Sequence, residues 1–366
     1  MGSLNCGGAE TTVMNLYRNI DRSLIQFDFL ITVFEENHYE NEAVSLGARV
    51  FRRPMRTKDP FGNMIGLTRV LKEHPEIKIV HIHNTSPVVA IDALIAKLFG
   101  VVTRIVHSRS ALPTYTVLHR VFRPFLRALA THWFCCSTEA GMSLFGKNAP
   151  KSSKFLVLPN ARELETFRYS PSLRDSISAK MCLEDQFVVI SIGRLETPKN
   201  LGFMLEAFAH ARGCKPNLML LLAGDGALFT ELSDQVDKLE LGSSVIFLGH
   251  RDDVSSLLQA ADIFVLPSLY EGLPGAAIEA QAAGLPCLIS DTVTRESKVT
   301  DNVEFLPISE GPEIWAERML AYKDFKRYDT LDEVRKAGYD IKEAANKLEK
   351  FYVSEMRKSG ESESFI

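Results

Sequence analysis

Residues 261–280, ADIFVLPSLYEGLPGAAIEA, decide how the rest of the chain is read. An apolar run of strand length, Ile263 to Leu266, is followed by a turn rich in Gly and Pro, and small residues then open a helix. Strand, tight turn and helix in that order are how a parallel α/β sheet presents a ligand site at the carboxyl edge of its strands. Two acids mark this segment. Glu271 falls in the turn and Glu279 about one helical turn inside the helix, so both carboxylates can face the crevice above the strand. Each carboxylate accepts two or more hydrogen bonds, which suits sugar hydroxyls. Taken singly, Glu271 reads equally well as a helix-start cap and Glu279 as a solvated face residue.

Working outward, strand-like segments at 27–33, 49–51, 77–81, 103–107 and 133–136 alternate with helical patterns such as 9–18, 62–73 and 88–99, and 155–160 ends the first half. A second series runs through 187–193, 218–222, 245–248, 263–266 and 287–289. This spacing predicts an α/β chain with two doubly wound parallel sheets, and two such units facing one another imply a cleft at their junction. With 366 residues, 46% of them hydrophobic, the chain has material for two cores. The expected division is 1–168 and 169–340, with the polar stretch 169–174 as linker. An amphipathic helix at about 341–354 is expected to pack back on the first domain, and 355–366 to form a polar tail, frayed from Ser359 onward.

Glu271 and Glu279 have seven residues between them, with ADIFVLPSLYEG before and EAQAAGLPCLIS after. This pattern resembles the signature of retaining glycosyltransferase family 4, whose GT-B fold consists of two Rossmann-like doubly wound domains facing a cleft. A wider similarity, to bacterial exopolysaccharide glycosyltransferases of the EpsF type, runs from GGAETTVMNLYRNIDRS to GYDIKEAANKLEKFY and covers most of the chain. The resemblance implies a metal-independent hexosyltransferase without a cofactor. Its co-substrate would be a nucleotide-diphosphate sugar, expected to be a UDP-sugar, bound by the carboxyl-terminal domain. The sugar would pass with retention to a polyprenyl-diphosphate-linked glycan of an exopolysaccharide pathway, bound by the amino-terminal domain. Relatives carry an apolar strand before the glycine-rich loop, where this chain offers only residues 1–5. The first strand of the amino-terminal sheet is therefore expected to be missing, and the first half to be less stable for it.

The segment Gly193-Arg194-Leu195-Glu196-Thr197-Pro198-Lys199-Asn200 follows a buried strand. The planar fork of Arg194 and the point charge of Lys199 can neutralise a leaving diphosphate, the role the resemblance implies. The alternative is a surface ion pair of Arg194 with Glu196 or Glu206. Gly7 and Gly8 at a helix start would let backbone amides approach the same phosphates. Gly224-Asp225-Gly226 is a turn first and a nucleotide-facing loop second. The expected donor-binding set is Gly7, Gly8, Gly193, Gly224, Asp225, Leu273, Gly275 and Glu279; the expected catalytic set is Arg194, Lys199, Glu271 and His107. His107 closes its strand and matches the family histidine beside the transferred sugar. A neutral imidazole there could donate to a hydroxyl, or its backbone carbonyl could steady charge at the anomeric carbon. His81 and His83 share one strand face, but no third ligand stands at plausible spacing, so no metal site is expected.

No Asp-x-Asp occurs, which disfavours metal-dependent GT-A transferases, and no G-x-G-x-x-G follows a strand, which disfavours a nicotinamide dehydrogenase. A nucleotide-sugar epimerase of the same fold and an inactive sugar-nucleotide-binding homologue stay as alternatives. Cys6, Cys135, Cys136, Cys182, Cys214 and Cys287 form no zinc-like pairs and are expected to be reduced. No apolar run approaches eighteen residues and no signal pattern opens the chain, so a cytoplasmic place is expected.

The net charge of −4 hides an asymmetry: residues 1–165 carry 20 Lys and Arg against 14 Asp and Glu, the remainder 22 against 32. Between Asp92 and Glu139 there is no acid, while Lys97, Arg104, Arg109, Arg120, Arg123 and Arg127 fall there, interleaved with Phe122, Phe125 and Leu126. This points to peripheral association with the anionic inner face of the membrane, with Arg120, Arg123 and Arg127 as acceptor or membrane candidates. Arg49, Arg52, Arg53, Arg56 and Lys58 would extend the patch. The alternative is a solvated helix that buries both Phe122 and Phe125. Nothing here indicates a nucleic acid partner.

Overall fold

In the computed structural model, residues 1–5, 7–109 and 117–358 are described. They divide into two compact units, Met1–Arg162 with Gly338–Ile366, and Glu163–Ala337. In the first unit the strands are β1 (Phe29–Ile31), β2 (Val50–Arg52), β3 (Ile79–His83), β4 (Thr103–Ser108), β5 (His132–Cys135) and β6 (Phe155–Val157). β1 and β2 form a parallel pair, and β3-β4-β5-β6 a parallel sheet in that order. Successive side chains leave a strand on opposite faces, and the two cores follow that rule. Ile105 and Phe134 join Met14 and Leu16 of the helix Gly8–Asn19 and Leu348 and Tyr352 of the helix Ile341–Lys358. Their neighbours Val106 and Trp133 join Ala93, Leu126 and Phe145 on the other face. A sheet covered on both faces explains why these strands read as nearly continuous apolar runs.

Among the described residues no strand joins the β1–β2 pair to the four-stranded sheet. Residues 1–4 lie instead at the end of β1, where Thr32 N donates to the Gly2 carbonyl at 2.9 Å and Leu4 is fully buried. Other expectations need correction. The strand expected at 77–81 lies two residues later, which puts both of its histidines at the carboxyl end of β3. The stretch 169–174 is no linker: Ser170 Oγ accepts from Leu173 N and caps the helix Pro171–Met181, with Pro171 in its first turn. The chain passes between units at Arg162 and again at Gly338. The last helix continues to Lys358. The readings of Cys6 and of the tail from Ser359 onward lie outside the described residues.

The second unit contains β7 (Phe187–Ile192), β8 (Leu218–Ala223), β9 (Val245–Gly249), β10 (Ile263–Leu266), β11 (Cys287–Ser290) and β12 (Val303–Leu306). They form one parallel sheet in the order β12-β11-β10-β7-β8-β9. The edge strand β12 is the one that sequence reading missed. It is four residues long and includes Glu304, which is paired with Arg318 at 2.7 Å and accepts from Tyr322 at 2.8 Å. From β7 the chain winds outward through β8 and β9, then returns to β10 on the other side and winds away through β11 and β12. The order therefore reverses between β7 and β10, and a doubly wound sheet opens its binding crevice outside the carboxyl ends of such a strand pair. No helix among the described residues is long and apolar enough to cross a membrane.

Candidate functional site

The loops that leave β7 and β10 at this reversal are tied together. Leu269 N donates to the Pro198 carbonyl at 2.8 Å, and Lys199 Nζ is ion-paired with Glu271 Oε1, their side chains only 19% and 18% exposed. Ser268 Oγ, which the sequence did not single out, donates to the same carboxylate oxygen at 3.3 Å. Two glycines let these segments meet as bare backbone. Gly224, at φ +140°, faces the Gly193 carbonyl so closely that a Cβ would stand 2.1 Å from its oxygen. Gly193, at φ +151°, lies under Lys199, and a Cβ there would stand 2.6 Å from Lys199 Cε. Both angles belong to the region that side chains disfavour. Leu195 N donates to the Asp225 carbonyl at 2.9 Å, and Asp225 itself is exposed.

Gly275 opens the helix Gly275–Ala282, whose first-turn amides and dipole favour an anion. Leu273 and Glu279 are half-buried, in the turn before this helix and on the helix itself. Arg194 stands apart, with its side chain 78% exposed and Nη1 on Glu196 Oε1 at 2.8 Å. That is the surface pair weighed from the sequence. Such a pair contributes about 0–1 kcal/mol, so little holds Arg194 away from an arriving phosphate.

In the first unit, the register of β3 and β4 sets His83 opposite His107. His107 is fully buried. Its Nδ1 lies 3.0 Å from His81 Nε2, and His81 Nδ1 lies 2.6 Å from Tyr352 Oη. Arg109 donates from Nε to His83 Nδ1 at 3.1 Å and from Nη1 to Asn160 Oδ1 at 2.9 Å. Desolvation, helped by the Arg109 cation, holds all three imidazoles well below the usual histidine range, and so neutral. Burial likewise lowers Arg109 to about 10. His107 Nε2 and Arg109 Nη2 are buried and have no partner among the described residues. An unpaired buried polar atom costs about 1–3 kcal/mol, which marks both as places for a ligand atom.

The absence of a third imidazole, read from spacing alone, is corrected here, because His107 comes alongside His81 and His83 from the neighbouring strand. The rings are nevertheless engaged with one another, and His83 Nδ1 is held by a guanidinium that would oppose a dication. This arrangement suits hydrogen bonding better than metal ligation. The His107 carbonyl accepts from Asn84 N at 3.1 Å. Gly7 caps the helix Gly8–Asn19, but its amide end already faces a carboxylate: Glu10 Oε2 would lie 2.3 Å from a Cβ on Gly7. A phosphate arriving there must displace Glu10. Among the described residues no side chain crowds Gly8. A surface hollow lined by Gly2, Glu10, His83, Asn84 and Arg109 adjoins this helix end.

The basic stretch divides. On the helix Val117–Leu129, Arg120 is exposed, Arg123 donates to the Leu144 and Ser143 carbonyls at 3.1 and 3.0 Å, and the exposed Arg127 lies over the Trp133 ring. Phe122 packs into the core, whereas Phe125 is 60% exposed beside exposed Val121 and Leu118. Burial of both phenylalanines is thus ruled out. In the second basic cluster the four arginines are neutralised, Arg49 by Asp28 and Glu76, Arg52 by Glu40, and Arg53 and Arg56 by Asp92, while Lys58 is exposed.

The chain matches the model of Glycosyltransferase Family 4 over residues 6–166 and that of Glycosyl transferases group 1 over residues 174–328. It is 35% identical over 364 residues to the EpsF protein of Bacillus subtilis (strain 168), whose name places it among the glycosyltransferases, covering 96% of this chain and 94% of that one. It is 30% identical over 240 residues to the UDP-Gal:alpha-D-GlcNAc-diphosphoundecaprenol alpha-1,3-galactosyltransferase of Escherichia coli, 63% of this chain and 61% of that one. In fold it is similar to Anabaena HepE, solved in complex with UDP, with a TM-score of 0.78 at 17% identity over 96% of this chain and 98% of that one. The two domain matches and a relative aligned over nearly all of both chains show that the protein belongs to the family 4 and group 1 glycosyltransferases and is a glycosyltransferase of the GT-B fold.

Proposed function

We propose that the chain transfers a hexosyl unit from a UDP-sugar to a polyprenyl-diphosphate-linked glycan, with retention, in exopolysaccharide synthesis. The observation that carries this reading is the tied pair of loops at the β7–β10 reversal. There a largely buried lysine and carboxylate stand beside bare glycine backbone and a helix start. Lys199 and Arg194 take the leaving diphosphate, where negative charge grows in the transition state. Glu271 holds Lys199 in place and offers its second oxygen to a sugar hydroxyl, while Glu279 accepts from the ribose hydroxyls. His107, neutral and with a buried unpartnered nitrogen among the described residues, donates to a hydroxyl of the transferred sugar.

Support for the substrate classes comes from similar proteins: the E. coli relative is named for a UDP-sugar donor and a diphosphoundecaprenol-linked acceptor, and HepE was solved with UDP. Peripheral attachment to an anionic membrane through the helix Val117–Leu129 would bring such an acceptor within reach. The test is UDP release from a panel of UDP-sugars with and without a short polyprenyl-diphosphate-linked glycan, followed by the anomeric configuration of the product. Acceptor-dependent release with retention is the expected result. A free isomer formed without acceptor would identify an epimerase, and UDP binding without turnover of any sugar would identify a binding homologue.

A further inference from the structure

The histidine cluster of the first unit contains a hydrogen-bond chain whose direction follows from its ends. The His81 and His107 planes differ by 16° with centroids 5.2 Å apart, so the two rings lie nearly edge to edge about their 3.0 Å N···N contact. A neutral imidazole has one N–H and one acceptor nitrogen, so the donor at one end sets every proton along the chain. Tyr352 is buried, and desolvation pushes its phenol up and keeps it protonated. Its hydroxyl has His81 Nδ1 as its partner among the described residues. If His81 donated instead, a buried O–H would be left without an acceptor among the described residues. The hydroxyl therefore donates, His81 carries its proton on Nε2 and passes that donor to His107 Nδ1, and the proton of His107 resides on Nε2. That nitrogen is the buried, unpartnered atom among the described residues.

We propose that Tyr352 and His81 are positioning residues for glycosyl transfer, which hold His107 in the Nε2–H tautomer so that it meets the sugar as a hydrogen-bond donor and not as a base. This rests on the reading of His107 given above. The neighbouring ring is fixed in the same way, since the Arg109 Nε–H occupies His83 Nδ1. Tyr352 comes from the helix Ile341–Lys358, 271 residues along the chain from His81. The returning helix thus acts on the site as well as on the core.

The experiment is a long-range proton–nitrogen spectrum of the full chain labelled with 15N-histidine, recorded without substrate. The expected result is one tautomer for His107, with a bare Nδ1 and a protonated Nε2. Tyr352→Phe keeps the ring packing and removes the hydroxyl, so His81 is released and His107 should become a mixture of tautomers. In the same variant, turnover of the UDP-sugar that the wild type uses should fall about tenfold, with donor KM held within about a factor of two and an almost unchanged thermal midpoint. A wild-type His107 protonated on Nδ1, or an unchanged Nε2–H tautomer in Tyr352→Phe, would overturn the proposal. Full turnover in His107→Ala would sink it through the reading of His107 at the sugar. Spectra taken without substrate tell that failure from the others.

Discussion

At the scale of single residues, the loops proposed to hold the donor rest on contacts that leave no room for a methyl group. Gly224→Ala would place a Cβ 2.1 Å from the Gly193 carbonyl at a φ of +140°. The three nearest atoms there are all backbone, so a loss of about 2–5 kcal/mol is expected. Chemical denaturation would check this, and a midpoint equal to that of the wild type would contradict the geometry. Glu279→Ala should weaken UDP by about 1–3 kcal/mol through the unpaired ribose hydroxyls, measured by titration calorimetry. Unchanged affinity would remove Glu279 from the site. Arg194→Lys keeps the charge but loses the fork, and should lower kcat more than it raises the donor KM, because the exposed Arg194 is called upon as the leaving group forms. The pairing of Lys199 with Glu271 could not be read from the sequence, since 72 positions separate them and only the strand order brings them together.

At the scale of elements, the carboxyl ends of β3 and β4 gather three neutral imidazoles. In the unfolded chain each takes up a proton near pH 6.5, whereas in the folded one it does not. Stability present above pH 6.5 is therefore lost as the pH falls below it, by up to about 1.4 kcal/mol per pH unit for each ring. Thermal unfolding of the chain between pH 7.5 and 5.5 would show this, and a flat midpoint over that range would count against the neutrality of these rings. The helix Val117–Leu129 offers a second test. Arg120 and Arg127 are exposed beside Phe125, while Arg123 is spent on carbonyls. Arg120→Glu with Arg127→Glu should abolish co-sedimentation with anionic vesicles, and Arg123→Gln should act chiefly on stability. Equal recovery of wild type and the double variant would leave this face to solubility alone. The gap in acids singled out this stretch but not which cations it keeps for solvent, because carbonyl partners such as Leu144 belong to another element.

For the molecule as a whole, the two units should respond separately to what they bind. Ligation by UDP stabilises a folded unit in proportion to the logarithm of ligand over Kd, about 2.7 kcal/mol at a hundredfold excess. Hydrogen exchange should accordingly slow in β7, β8 and β10, and protection confined to the first unit would move the donor site there. The returning helix makes the opposite case. Ile341, Ala345, Leu348 and Tyr352 belong to the core built on Ile105 and Phe134, so removing the chain from Gly338 on should destabilise the first unit although the cut lies far along the sequence. Near-ultraviolet circular dichroism would register that loss.

Alternation of apolar runs with helical periodicity and Gly–Pro turns was enough to set the α/β class and the segments around Glu271 and Glu279, because those signals are local and depend on backbone preference and burial alone; that the described strands of the first unit fall into a pair and a separate four-stranded sheet was not legible there. The Gly193 to Asn200 segment was legible for the same reason, as a turn between a buried strand and a helix. What tertiary structure decided depends on strand order and register, which no local pattern encodes. The reversal between β7 and β10 brings Lys199 to Glu271, and the register of β3 against β4 adds His107 to His81 and His83. A helix from the end of the chain then supplies the hydroxyl of Tyr352 to those rings. Local pattern also misled where polarity stood in for structure, at Ser170, whose hydroxyl caps a helix instead of opening a linker.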